Sequence, residues 1–176
     1  AHNLVAGSVN GRKEKRRTPY FKKHSVSDMK LSDIQHRDLR FYNNIFVNPA
    51  GLSELETTSE HIQAAGNVYL AGTKPGSNEQ DACVDESPES SMDLSKQPDG
   101  WWLTLHIDPA PVKERVMITT NLLGKAKIPG LPFVQRDGTP YKLDKDYLGE
   151  TRDTDNPSAG PFEHLNSEKN QLKVWP

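Results

Sequence analysis

Three short segments of this chain share one pattern: an asparagine, then an apolar run, then a small or turn-forming residue. They are Asn3-Leu4-Val5-Ala6-Gly7, Asn44-Ile45-Phe46-Val47-Asn48 and Asn67-Val68-Tyr69-Leu70-Ala71-Gly72. Asn44 and Asn67 stand 23 residues apart, about one coil of a parallel β-helix. Asn3 and Asn44 stand 41 apart, which is one coil plus an insertion of roughly 18 residues, and the stretch 11–28 is the obvious insertion. A single coil cannot bury its inner face, so coils stack and share a narrow core. An asparagine at the same corner of successive coils can hydrogen-bond to its neighbours and satisfy turn amides that would otherwise be buried without partners.

Composition fits a long thin core with many polar turns. The 176 residues are 34% hydrophobic, with 13 Pro and 12 Gly, and mean hydropathy is −0.77. No segment of ten or more residues carries a sustained helical stripe. Past residue 72 the repeat fades, and the polar, acidic, serine-rich stretch 73–99 reads as a long surface loop. Trp101 to Asp108 then alternates, with Trp101, Leu103, Leu105 and Ile107 on the inner face and Trp102, Thr104 and His106 on the outer. Trp101 and Trp175 read as core. Val116–Thr120, Tyr141–Leu148 and Leu172–Trp175 read as further short strands. The expected fold is therefore all-β: the last coils of a right-handed parallel β-helix over 1–72 with a basic insertion at 11–28, an acidic loop over 73–99, and a C-terminal β-strand cap or small β-sandwich over 100–176.

The formal net charge of −2 says little, but charge is unevenly spread. Residues 12–23 hold Arg12, Lys13, Lys15, Arg16, Arg17, Lys22 and Lys23 against Glu14 alone, while 79–93 hold six acids and no base. The acidic run lacks the Asp-x-Asp-x-Asp-Gly order of a calcium loop. His2, His24, His36, His61, His106 and His164 show no metal-ligand spacing, and no serine-nucleophile or phosphate-loop motif occurs, so neither cofactor nor metal is expected. A net acidic chain without a nucleic-acid motif argues against nucleic-acid binding, and no segment is apolar enough for a membrane helix. The single cysteine, Cys83, allows no internal disulfide and does not fix the compartment; a secreted or periplasmic location is the expectation. The chain starts at Ala1, already near strand-like sequence, and reads as the carboxy-terminal piece of something longer.

The runs Ala1-His2-Asn3-Leu4-Val5-Ala6-Gly7, Arg17-Thr18-Pro19-Tyr20, His24-Ser25 and Arg40-Phe41-Tyr42-Asn43-Asn44-Ile45-Phe46-Val47 occur in an order and spacing that resemble glycoside hydrolase family 120, the β-xylosidase family, and its β-helix relatives. The tail is similar too, in Thr120-Asn121-Leu122-Leu123-Gly124-Lys125-Ala126, Leu131-Pro132-Phe133, Asp137-Gly138-Thr139, Asp146-Tyr147-Leu148-Gly149 and Gly160-Pro161-Phe162. The chain departs from the family around His24, where Lys23 and Val26 replace Pro and Thr, and before Phe41, where Arg37-Asp38-Leu39-Arg40 keeps only Asp38 and Arg40 of Gly-Asp-Asp-Arg. The resemblance implies a retaining glycosidase acting on xylosides, with two carboxylates about 5–5.5 Å apart. Both would lie on coils before Ala1, so no catalytic residue is assigned within this chain. The implied partners are a xylo-oligosaccharide or plant polysaccharide and the upstream coils of the same protein; a homo-oligomer is compatible.

Five residues are candidates for substrate binding. In the insertion, Arg17 and His24 would donate to sugar hydroxyls and Tyr20 would stack on a sugar ring; the bland alternative is a solvated loop. Arg40 would either pair with Asp38, the preferred reading, or line the groove. Trp102, facing outward, would serve as a sugar platform, although such a residue is more often covered by a neighbour. The other functions weighed are a noncatalytic carbohydrate-binding module, a purely structural β-helix end, and a polysaccharide lyase, for which the basic insertion is suitable but the calcium signature is missing.

Overall fold

The structure, a computed structural model, describes residues 1–11, 16–22, 25–33, 38–47, 51–52, 55, 62–86, 90–108, 114–167 and 169–176. Among them the strands run in the order β1 (Leu4–Val5), β2 (Arg17–Phe21), β3 (Asp28–Asp33), β4 (Leu39–Tyr42), β5 (Ile45–Val47), β6 (Ile62–Ala65), β7 (Val68–Leu70), β8 (Cys83–Asp85), β9 (Ser91–Gln97), β10 (Gly100–His106) and β11 (Lys169–Trp175). One helical turn, α1 (Thr120–Leu123), lies between β10 and β11. The fold is all-β, as expected.

The repeat segments stack as parallel strands. β1, β5, β7 and β8 form one parallel sheet in that order, and β4 and β6 form a second parallel pair. Leu4 pairs with Ile45, Ile45 with Val68, and Val68 with Cys83. A single left-handed residue turns the chain from one sheet into the other. Asn43 (φ 54°) separates β4 from β5, and Gly66 (φ 66°) separates β6 from β7. His2 and Asp81, at φ 54° and 52°, hold the same place in the first and last of these coils. One left-handed residue bends an extended chain sharply, and Asn, Asp and Gly tolerate that conformation best. At Gly66 a β-carbon would also run into the side-chain oxygen of Asn43.

The asparagines form the expected ladder. Asn3 donates from its backbone nitrogen and from Nδ2 to Oδ1 of Asn44, both at 3.0 Å. Asn44 does the same to Oδ1 of Asn67, at 2.9 and 2.8 Å. The ladder then meets a residue that the repeat did not anticipate. Where β8 follows, the equivalent position is Ala82, and the carboxylate of Glu79 takes its place: Oε1 accepts from the backbone nitrogen and Nδ2 of Asn67, at 3.2 and 2.6 Å. Oε2 of Glu79 accepts from the Tyr69 hydroxyl at 3.0 Å.

Both faces of the four-stranded sheet are covered, which is why β5 and β7 are buried throughout and read as unbroken apolar runs. Phe46 and Tyr69 point into the coil, stacked 5.0 Å apart and nearly parallel, against Leu52, Leu55 and Ala64. Ile45, Val47, Val68 and Leu70 point the other way, against Leu103, Leu105, Ile107, Ala159 and Phe162. The C-terminal part thus packs its antiparallel β11-β10-β9 sheet against the face of the parallel sheet that points away from the coil interior. The segment between α1 and β11 is fixed by a buried ion pair, Arg152 Nη1 to Glu163 Oε2 at 3.1 Å, with both side chains at most 4% exposed. Arg152 also donates to the carbonyls of Ser158 and Gly160. Gly160 donates its N–H to the Asn43 carbonyl at 2.8 Å and lies directly on Ile45, where no β-carbon fits.

Several expectations are corrected. The stretch 73–99 is not a continuous loop, since it contains β8, an edge strand of the parallel sheet, and β9, an edge strand of the antiparallel one. Val116–Thr120 is not a strand: Val116 is exposed, and the Thr119 hydroxyl caps α1 by accepting from the Leu122 nitrogen. Tyr141–Leu148 holds only isolated bridges at Lys142 and Lys145. Trp101 and Trp175 are not core but are 38% and 66% exposed, because they pair with each other at the end of the sheet beyond the covered region.

Candidate functional site

β4 and β6 lie side by side, with Leu39 opposite Ile62, Arg40 opposite Gln63, Phe41 opposite Ala64 and Tyr42 opposite Ala65. Alternation sends Leu39, Phe41, Ile62 and Ala64 to the coil interior. Arg40, Tyr42 and Gln63 are left on the outer face. A groove of about 440 Å³ lies there, lined by Tyr42, Ile62, Gln63, Ala64, Ala65, Asn78 and Gln80. Its polar side chains are one phenol and three carboxamides. The Tyr42 hydroxyl donates to Oε1 of Gln63 at 3.1 Å. Burial holds the Tyr42 phenol above its ordinary pKa, against the opposing pull of the Arg40 charge, so it is a neutral donor at physiological pH.

Arg40 is fastened rather than free. Its guanidinium pairs with Asp38 at 2.8 Å, donates to the Lys125 carbonyl at 2.8 Å and lies 5.0 Å from the centre of the Phe133 ring. Asp38 in turn accepts from the Lys127 nitrogen at 2.7 Å. Asp38 and Arg40 therefore pair, and together they clamp the segment after α1 to the entry of β4.

The other candidates lie elsewhere. Arg17 and Tyr20 are on the β2–β3 hairpin, where Arg17 stands 3.9 Å from Asp33 and Tyr20 is half-buried opposite Lys30. His24 lies outside the described residues. Trp102 is half-buried on β10 and donates from Nε1 to Asp99 at 2.9 Å. Arg17 and Tyr20 share the β2–β3 sheet, whereas Arg40 and Trp102 lie on two other sheets, so the fold does not gather these four into one constellation. Tyr42, Gln63, Asn78 and Gln80 were not singled out from the sequence. The available signal was the alternation in Leu39–Tyr42 and Ile62–Ala65, which marks an outer face once the pairing of the two strands is known.

A larger cavity of about 520 Å³ is lined mainly by apolar side chains, among them Leu4, Met92, Leu103 and Phe162. It continues the core past β1. Next to it, His2 is 5% exposed, and its pKa is pushed down to about 3, first by burial and then by the Arg152 charge. Both oxygens of Glu163 are occupied, Oε1 by the Asp153 nitrogen and Oε2 by Arg152 and the Ser158 nitrogen. Among the described residues no group of three or more His, Cys, Asp or Glu side chains is placed to hold a metal ion.

Stacked parallel strands with a flanking antiparallel sheet place this chain in the all-β class. The particular neighbour is XylC, solved in complex with xylose: the match has a TM-score of 0.87 at 25% sequence identity and covers 99% of this chain. The chain spans 32% of the length of XylC. No protein-family model matches the chain. No curated protein matches it by sequence.

Proposed function

We propose that this chain is the carboxy-terminal part of a right-handed parallel β-helix glycoside hydrolase that acts on xylosides, of the family 120 kind. It contributes groove wall and flanking sheet, while the catalytic carboxylates belong to coils before Ala1. The observation that carries this reading is the likeness to XylC over 99% of the chain, at 32% of XylC's length. The groove on β4–β6 supports it. Tyr42, Gln63, Asn78 and Gln80 offer hydroxyl and amide groups of the kind that pair with sugar hydroxyls, and no carboxylate is among the described lining residues. Retaining hydrolysis needs a nucleophile and an acid–base carboxylate on the scissile bond. The chain alone is therefore expected not to turn over an aryl xyloside. Turnover comparable to a full-length relative would overturn the reading.

A noncatalytic sugar-binding role is the second reading. The observation favouring it is the exposed indole pair Trp101 and Trp175, which are direct partners across β10 and β11. Aromatic faces suit the C–H faces of sugars. On this reading Trp175→Ala weakens xylan retention in affinity electrophoresis more than Trp102→Ala does.

A further inference from the structure

Among the described residues, the polar side chains lining the groove on β4–β6 are Tyr42, Gln63, Asn78 and Gln80, and none of these carries a charge. The nearest cation in the pairing is Arg40, directly across from Gln63, and its charge is already matched by Asp38 at 2.8 Å. Gln63 is exposed, and its Oε1 accepts from the Tyr42 hydroxyl at 3.1 Å, which favours one orientation of the amide. That leaves the two N–H groups of Nε2, on a residue that lines the groove, for donation. Such a donor suits a hydroxyl or ring oxygen. Among the described lining residues a carboxylate placed there would lose water and meet only neutral donors, and the nearby Arg40 charge is already engaged by Asp38.

We propose that this groove takes a neutral glycan segment and that Gln63, its amide oriented by Tyr42, sets the preference for neutral over uronic-acid-bearing sugars. The inference rests on the glycan reading above and deepens it. Gln63 is the specificity residue and Tyr42 a positioning residue.

The test is binding of the whole chain, by NMR titration, to a neutral xylo-oligosaccharide and to one of equal length carrying a glucuronic acid branch. The wild type should bind the neutral ligand about tenfold more tightly than the acidic one. Gln63→Leu should lose about fivefold in neutral affinity, the worth of one ordinary hydrogen bond, and gain nothing for the acidic ligand. Gln63→Arg should raise acidic affinity and reverse the ratio. Tyr42→Phe should lose a similar factor, and the double variant with Gln63→Leu should lose no more than either alone, a non-additivity that a separate structural effect of Tyr42 would not produce. Because Gln63 is on the surface, its variants should keep the wild-type circular dichroism spectrum. Equal binding of the two ligands by the wild type, or an unchanged ratio in Gln63→Arg, overturns the inference and leaves the glycan reading standing. Binding of neither ligand overturns both.

Discussion

A buried polar group left without its partner costs about 1–3 kcal/mol, whereas a satisfied one contributes about 1. That asymmetry sets the expectations for the asparagine rungs. Asn44→Ala removes the acceptor for two N–H groups of Asn3 and one of the two donors to Asn67, all at 3.0 Å or less. We expect a loss of about 2–4 kcal/mol in urea unfolding. At Glu79, Gln keeps an acceptor for Asn67 while Ala does not, so Glu79→Gln should cost under about 1 kcal/mol and Glu79→Ala about 2–3. His2 gives a pH signature. It binds no proton in the folded protein until about pH 3, against 6.5 for the free group. Between those values the unfolded chain holds more protons, so the contribution is full above about pH 6.5 and is lost as pH falls toward 3. Its size is at most about 5 kcal/mol. Urea midpoints at a series of pH values should fall across that window in the wild type and fall less in His2→Gln. The rungs were legible in the sequence because they repeat. Glu79 was not, since its side chain substitutes for a rung from a different position along the coil.

At the scale of elements, the coil interior is narrow, and Phe46 and Tyr69 fill much of it as a stacked pair. Phe46→Ala should cost about 3–5 kcal/mol, read from the same unfolding curves, because the neighbouring coils hold the cavity open. Gly160→Ala should also destabilise. Its φ of 75° disfavours a side chain, and Ile45 stands in the way. β10 was legible because one of its faces is buried and the other is not. Its end was misread, since periodicity gives the face on which Trp101 lies but not how far the covering layer reaches. Tyr141–Leu148 has strand-like residues, yet loop 144–163 is built instead around Arg152 and Glu163, a pair that no local pattern announces.

For the whole molecule, the parallel sheet between the coil interior and the antiparallel sheet is the best protected part. Hydrogen exchange should be slowest in β5 and β7, both buried throughout, and much faster in the β2–β3 hairpin, whose residues are mostly exposed. The stacking of parallel strands was readable from three short segments. The placement of the groove was not, because it requires knowing that Arg40 and Gln63 are neighbours although 23 residues separate them.

The asparagine rungs also have a polarity, as a growing polymer does. Asn44 and Asn67 each accept at the amide oxygen from the preceding coil and donate from the amide nitrogen to the following one. Glu79 receives the last of these bonds with a carboxylate, which has no N–H to pass on. It works as a chain terminator: an extra coil carrying its own asparagine can be spliced in ahead of this residue and continue the series, whereas one added behind it finds no donor waiting.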